Sequence, residues 1–136
     1  MKPLVIAIAA VVTITAGLAE VLAAAEWTSD VRQAFKSAAR QKRALAIYIT
    51  NPGCHRCQQM MKNTLGNPYI RHQMKQMVKA KVDYKKQPKI AQMLKISELP
   101  SVVVLSSTGK ELGRISGVMK VKDFQKKLAR IQKKIR

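Results

Sequence analysis

Five apolar residues in succession, Leu45-Ala46-Ile47-Tyr48-Ile49, end at the turn signal Asn51-Pro52-Gly53. A strand with one face in water alternates apolar and polar residues, whereas an unbroken apolar run belongs to a strand covered on both sides. The run therefore reads as a buried strand, and periodicity supplies helices that could cover it. Val31, Ala34, Phe35, Ala38 and Ala39 recur at helical spacing behind Trp27-Thr28-Ser29-Asp30, which opens the helix with Thr28 or Ser29 as its cap. A second helix is expected from Cys54 to about Leu65, with Met60, Met61 and Leu65 inward. A third starts at Asn67-Pro68 and carries Ile70, Met74 and Met77.

Val78 to Asp83 reads as a strand, Pro88 to Leu94 as a short helix, and Ser101 to Ser106 as a further strand. Ser107-Thr108-Gly109-Lys110 turns the chain back into an antiparallel strand, Glu111 to Ser116. Val121, Phe124, Leu128, Ile131 and Ile135 then mark an amphipathic terminal helix whose outer face is nearly all Lys, Arg and Gln. Strand, crossover helix and strand imply a parallel pair, and the closing hairpin adds antiparallel partners. The expected class is α/β, a mixed central sheet of about four to five strands with helices on both faces. Trp27 and Tyr48 are expected in the core near the sheet edge.

The first 25 residues have another character. Lys2 is followed by a stretch from Leu4 to Leu18 that is apolar apart from Thr13, Thr15 and Gly17. Ala23-Ala24-Ala25 then offers a small-residue cleavage site before Glu26. Residues 1–25 are thus expected to be a signal peptide and residues 26–136 one domain, exported to the periplasm. If the segment is not cleaved, it becomes a membrane anchor, although Glu20 interrupts the apolar run short of a full span. The net charge of +19, from 26 Lys and Arg against 7 Asp and Glu, gives the surface an attraction for acidic proteins or other anionic partners.

The two cysteines, Cys54 and Cys57, are the only ones in the chain. A bridge between them closes almost no loop and adds little as a staple, so a redox role outweighs a structural one. At a helix start, the unsatisfied N–H groups favour a thiolate on Cys54, and the charges of Arg56 and of protonated His55 add to that effect. Cys54 is then the attacking thiol and Cys57 the resolving one, with His55 and Arg56 tuning the thiolate. Zinc would need about four ligands, and Cys54, Cys57, His55 and His72 are all that the chain offers, with His55 wedged between the cysteines. Covalent haem attachment requires His directly after the second cysteine, where Gln58 stands. No metal and no cofactor beyond the Cys54–Cys57 disulfide is expected, and the methionines at helical spacing read as core filler. Transient Cu(I) binding by the two cysteines stays open as an alternative, as does a non-catalytic module that uses the basic surface to hold an acidic or anionic partner.

The order of these pieces carries a resemblance. An apolar strand enters Cys54-His55-Arg56-Cys57, and Glu98-Leu99-Pro100-Ser101 then leads into Val102-Val103-Val104-Leu105. Thr108-Gly109-Lys110-Glu111 and Arg114-Ile115-Ser116-Gly117 follow. From Trp27 to Arg136 the chain resembles the thioredoxin-like superfamily. Within it, the chain is most similar to the thioredoxin-like domain of periplasmic disulfide reductases of the DsbD type, a likeness that includes Gly66-Asn67-Pro68. The resemblance implies a cis Leu99–Pro100 bond beside the Cys54 sulfur. It also implies a substrate-binding stretch Leu99, Pro100 and Ser101 whose backbone pairs with an extended client, and Leu99 as a determinant of client choice. The implied partners are protein disulfide clients and an envelope redox protein.

Two departures bear on the chemistry. Tyr48 occupies the place where thioredoxin carries a buried acid, and His-Arg replaces Gly-Pro between the cysteines. A positive dipeptide stabilises the reduced thiolate and raises the reduction potential. That pulls towards an oxidase or isomerase, while the wider likeness pulls towards a reductase.

Overall fold

A computed structural model describes residues 26–135; the expected signal peptide, residues 1–25, lies outside them. The elements follow in the order α1 (Val31–Gln41), β1 (Leu45–Thr50), α2 (His55–Met60), a π-helical turn (Met61–Leu65), α3 (Pro68–Gln73), β2 (Val78–Asp83), α4 (Pro88–Met93), β3 (Ser101–Leu105), β4 (Glu111–Ser116) and α5 (Val121–Gln132). The sheet has four strands in the order β2-β1-β3-β4. β1 pairs parallel with β2 and antiparallel with β3, and β4 closes the hairpin.

β1 is buried along its whole length, as its uninterrupted apolar composition requires. Its residues feed two cores. Ala46 and Tyr48 face a cluster built with α2, α3 and α5, which contribute Met60, Ile70, Phe124 and Leu128. Leu45, Ile47 and Ile49 face the opposite cluster, where Val31, Ala34 and Ala38 of α1 pack with Ala80 and Val82 of β2. Tyr48 therefore sits on a central strand, not near the sheet edge. Trp27 packs against its ring at a centroid separation of 6.0 Å in an edge-on arrangement.

The first helix starts later than its sequence suggests. Thr28 is drawn into the sheet margin, where its N–H donates to Lys79 O (3.1 Å) and its carbonyl accepts from Lys81 N (2.8 Å). Asp30 becomes the cap, with Oδ1 accepting from Gln33 N at 3.0 Å. Glu26 holds the same segment from the other side through ion pairs to the buried Lys79 (3.1 Å) and to Arg71 (3.5 Å). The bridge of Thr28 to Ala80 is the nearest approach to a fifth strand.

The expected helix from Cys54 to Leu65 is also modified, because its second half widens into the π-helical turn. That turn closes with Gly66 N donating to Met61 O at 2.8 Å. A Cβ at position 66 would stand 2.9 Å from Met61 O and 3.0 Å from Lys62 O, so the turn needs glycine there. Asn67 then caps α3 by accepting from Tyr69 N, with Pro68 in the first turn. α3 ends at Gln73, which leaves Met74 as its C-cap and Met77 in the turn beyond, both still buried. Ile135 lies past the end of α5 and is exposed. Among the described residues no helix is long and apolar enough to cross a membrane.

Candidate functional site

The loop between β1 and α2 is shaped by Asn51. Its carbonyl accepts from Cys54 N (2.9 Å) and its Oδ1 from Gly53 N (3.2 Å), while Gln58 Nε2 donates back to Pro52 O (3.0 Å). This turn delivers Cys54 to the N-cap position of α2 with an extended backbone, and Cys54 Sγ accepts from Cys57 N at 3.1 Å. A sulfur that already takes a backbone N–H is in place to hold negative charge. Cys54 and Cys57 form a disulfide. Cys54 is partly exposed, whereas Cys57 is 1% exposed.

Tyr48 supports the motif from below. Its hydroxyl donates to Cys57 O at 2.6 Å, a carbonyl that also accepts from Met61 N. Burial pushes the Tyr48 phenol up to about 12, against a smaller lowering by the Thr50 hydroxyl. The group is thus a neutral donor at physiological pH. The sequence puts Tyr48 in the core and in the place of thioredoxin's buried acid, but the hydrogen bond to the cysteine carbonyl depends on tertiary placement and leaves no local signal.

Leu99–Pro100 is a cis peptide. Pro100 is buried, and its carbonyl accepts from Gly117 N at 2.8 Å. Leu99 is partly buried and packs, like Cys54 and Met119, against the cluster that contains Cys57. Gly117, at a φ of 82°, marks where the motif meets this loop. A Cβ there would lie 3.5 Å from Glu98 Oε1 and 3.8 Å from Arg56 Nη2. Ser101 is buried at the start of β3, and its hydroxyl donates to Glu98 O at 2.7 Å.

His55 and Arg56 are both exposed; His55 Nε2 lies 3.3 Å from Gln59 Nε2. His72 lies exposed in α3. Among the described residues no three His, Cys, Asp or Glu side chains gather to hold a metal ion.

A cavity of about 920 Å³ that the sequence does not announce lies on the Cys57 side of the motif. Tyr48, Cys57, Lys62, Lys81, Asp83 and Lys86 are among the residues that line it. Strand alternation could have flagged part of this, because the register sets Tyr48 opposite Lys81 and Thr50 opposite Asp83.

Residues 31–132 match the family of thioredoxin-like domains. Among solved structures, a thioredoxin from Thermus thermophilus is similar at 23% identity and a TM-score of 0.71, over 79% of this chain and 86% of that one. A DsbH oxidoreductase is similar at 17% identity and a TM-score of 0.65, over 78% and 83% of the two chains. A poplar thioredoxin h follows at 16% identity and 0.63, over 74% and 86%. Comparison with curated protein sequences gave no match. With its four-stranded mixed sheet, two-sided helical cover and a Cys-x-x-Cys disulfide at the start of α2, the chain belongs to the family of thioredoxin-like domains.

Proposed function

We propose that the protein is an exported thiol-disulfide oxidoreductase, working in the periplasm or anchored to face it, that reduces disulfides in other proteins. The observation that carries this reading is the Cys54–Cys57 disulfide, with one sulfur partly exposed at a helix cap and the other buried behind it. In the reduced protein, the Cys54 thiolate attacks a client disulfide, forms a Cys54–client mixed disulfide and expels one client thiolate. The Cys57 thiolate then attacks Cys54 Sγ. The Cys54–Cys57 disulfide forms, the second client thiolate leaves, and two electrons have passed to the client. An envelope redox protein restores the dithiol.

Leu99 and Pro100 offer the client an extended backbone beside the sulfur, and His55 and Arg56 favour the thiolate. Ser101 serves the same stretch by holding the Glu98 carbonyl, since its own hydroxyl is turned inward. The basic surface favours acidic clients.

The test is insulin reduction followed by turbidity, with the potential of the cysteine pair measured in parallel. The unsubstituted protein should accelerate precipitation and Cys54→Ser should not. A potential near that of thioredoxin, about −270 mV, supports the reductase direction, and one near −120 mV would reverse it. Activity that survives Cys54→Ser would remove the oxidoreductase reading.

A further inference from the structure

Resolution of the mixed disulfide needs a thiolate on Cys57, and that residue is 1% exposed. Its proton must leave through the protein. Cys57 opens on the cavity of about 920 Å³ described above. A water molecule takes up about 30 Å³ of liquid, so a space of this size, with charged and hydroxyl side chains set in a largely apolar lining, admits a chain of them.

Besides Cys57 itself, the titratable groups on the wall are Tyr48 from β1, Lys62 from the π-helical turn, Lys81 and Asp83 from β2, and Lys86 from the turn that follows. Lysine side chains hold their protons at neutral pH and cannot take another. Tyr48 is likewise protonated, and its hydroxyl is committed to Cys57 O. Asp83 alone offers a base. Its Oδ1 accepts from Lys85 N (2.9 Å) and Lys86 N (3.3 Å), while Oδ2 makes no hydrogen bond within the described residues. Lys62, Lys81 and Lys86 form no ion pair among the described residues, so their charge is available to favour an anion in the cavity.

We propose that Asp83 accepts, through cavity water, the proton that Cys57 gives up when it resolves a mixed disulfide. The step balances. Cys57 S–H breaks and its proton passes to the carboxylate. The Cys57–Cys54 bond forms with the electron pair left behind, and the client thiolate departs with the pair from the Cys54–client bond. The aspartic acid then returns its proton to solvent through the cavity mouth. The proposal rests on the reading of Cys54 and Cys57 as the exchange centre.

Asp83→Asn is the informative substitution, because the amide oxygen still accepts from the N–H groups of Lys85 and Lys86 while the base is lost. Full-length protein, unsubstituted and Asp83→Asn, is reduced and mixed with insulin. Acid quench and mass spectrometry then follow formation and decay of the mixed disulfide from pH 6 to pH 10. Formation should be unchanged. Decay should slow about tenfold near pH 6.5 and converge with the unsubstituted protein at high pH, where hydroxide removes the proton. Asp83→Glu should recover part of the loss. Superimposable pH profiles, or a slowing equal at every pH, would overturn the role of Asp83. If the unsubstituted protein forms no mixed disulfide, the exchange reading itself fails, and the proposal with it.

Discussion

Tyr48 shows how much a single side chain contributes here without taking part in thiol chemistry. Its hydroxyl donates to Cys57 O, and burial holds the phenol near 12. Tyr48→Phe should cost about 1 kcal/mol at pH 8, the net worth of one buried hydrogen bond. A raised folded-state pKa means that the unfolded chain loses its proton first. The Tyr48 contribution is therefore full below about pH 10 and is lost as pH climbs through about 12. The stability gap between the unsubstituted protein and Tyr48→Phe, read by urea unfolding, should accordingly shrink between those limits. A gap that widens there would contradict the assignment.

Arg56 is the second residue that separates readings. If its guanidinium steadies the Cys54 thiolate, Arg56→Ala should lower the reduction potential by about 10–20 mV, as suits an exposed charge worth less than 1 kcal/mol. An unchanged potential would leave Arg56 to client contacts alone. The cysteines were legible in the sequence because their chemistry is local, and the proline loop only through the family resemblance that the order of the motifs carries. Asp83 was not, because it reaches the cavity only through the register of β2 against β1.

At the scale of elements, apolar runs, helical spacing and turn signals anticipated the helices and strands of the described residues, and the deviations fall where polar groups or glycine intervene. Asp30 displaced Thr28 as the cap of α1 once the Thr28 backbone was taken up by β2. Asp30→Ala should then cost about 1 kcal/mol, measured by chemical denaturation, and Ser29→Ala close to nothing. The π-helical turn could not be read from spacing, since the buried Met60, Thr64 and Leu65 fit one face of a regular helix as well. Gly66 is its visible mark. Gly66→Ala puts a methyl group against two backbone carbonyls and should destabilise the fold by about 1–3 kcal/mol. A neutral effect would mean that the turn relaxes easily to a regular helix.

The whole molecule carries an excess of positive charge that its few acidic groups do not balance. Only three ion pairs occur among the described residues: Glu26 takes part in two of them, and Arg114 with Glu111 forms the third. Self-repulsion on this scale destabilises a compact state and is screened by salt. Raising NaCl from 10 mM to 300 mM (about 30 Å to about 6 Å of Debye length) should lift Tm by several degrees. A fall would show that attractive surface pairs dominate instead. The charge was plain from composition; what it would attract depends on the surface of another molecule and is not written in this chain.

The proposed mechanism divides the labour of disulfide exchange between Cys54, which attacks, and Cys57, which resolves. It is tested most directly by reacting reduced Cys57→Ser with insulin and reading the product by mass spectrometry. A stable one-to-one adduct linked through Cys54 should form, because the resolving thiol is gone. An adduct that forms equally well with Cys54→Ser, or no adduct with Cys57→Ser, would contradict it.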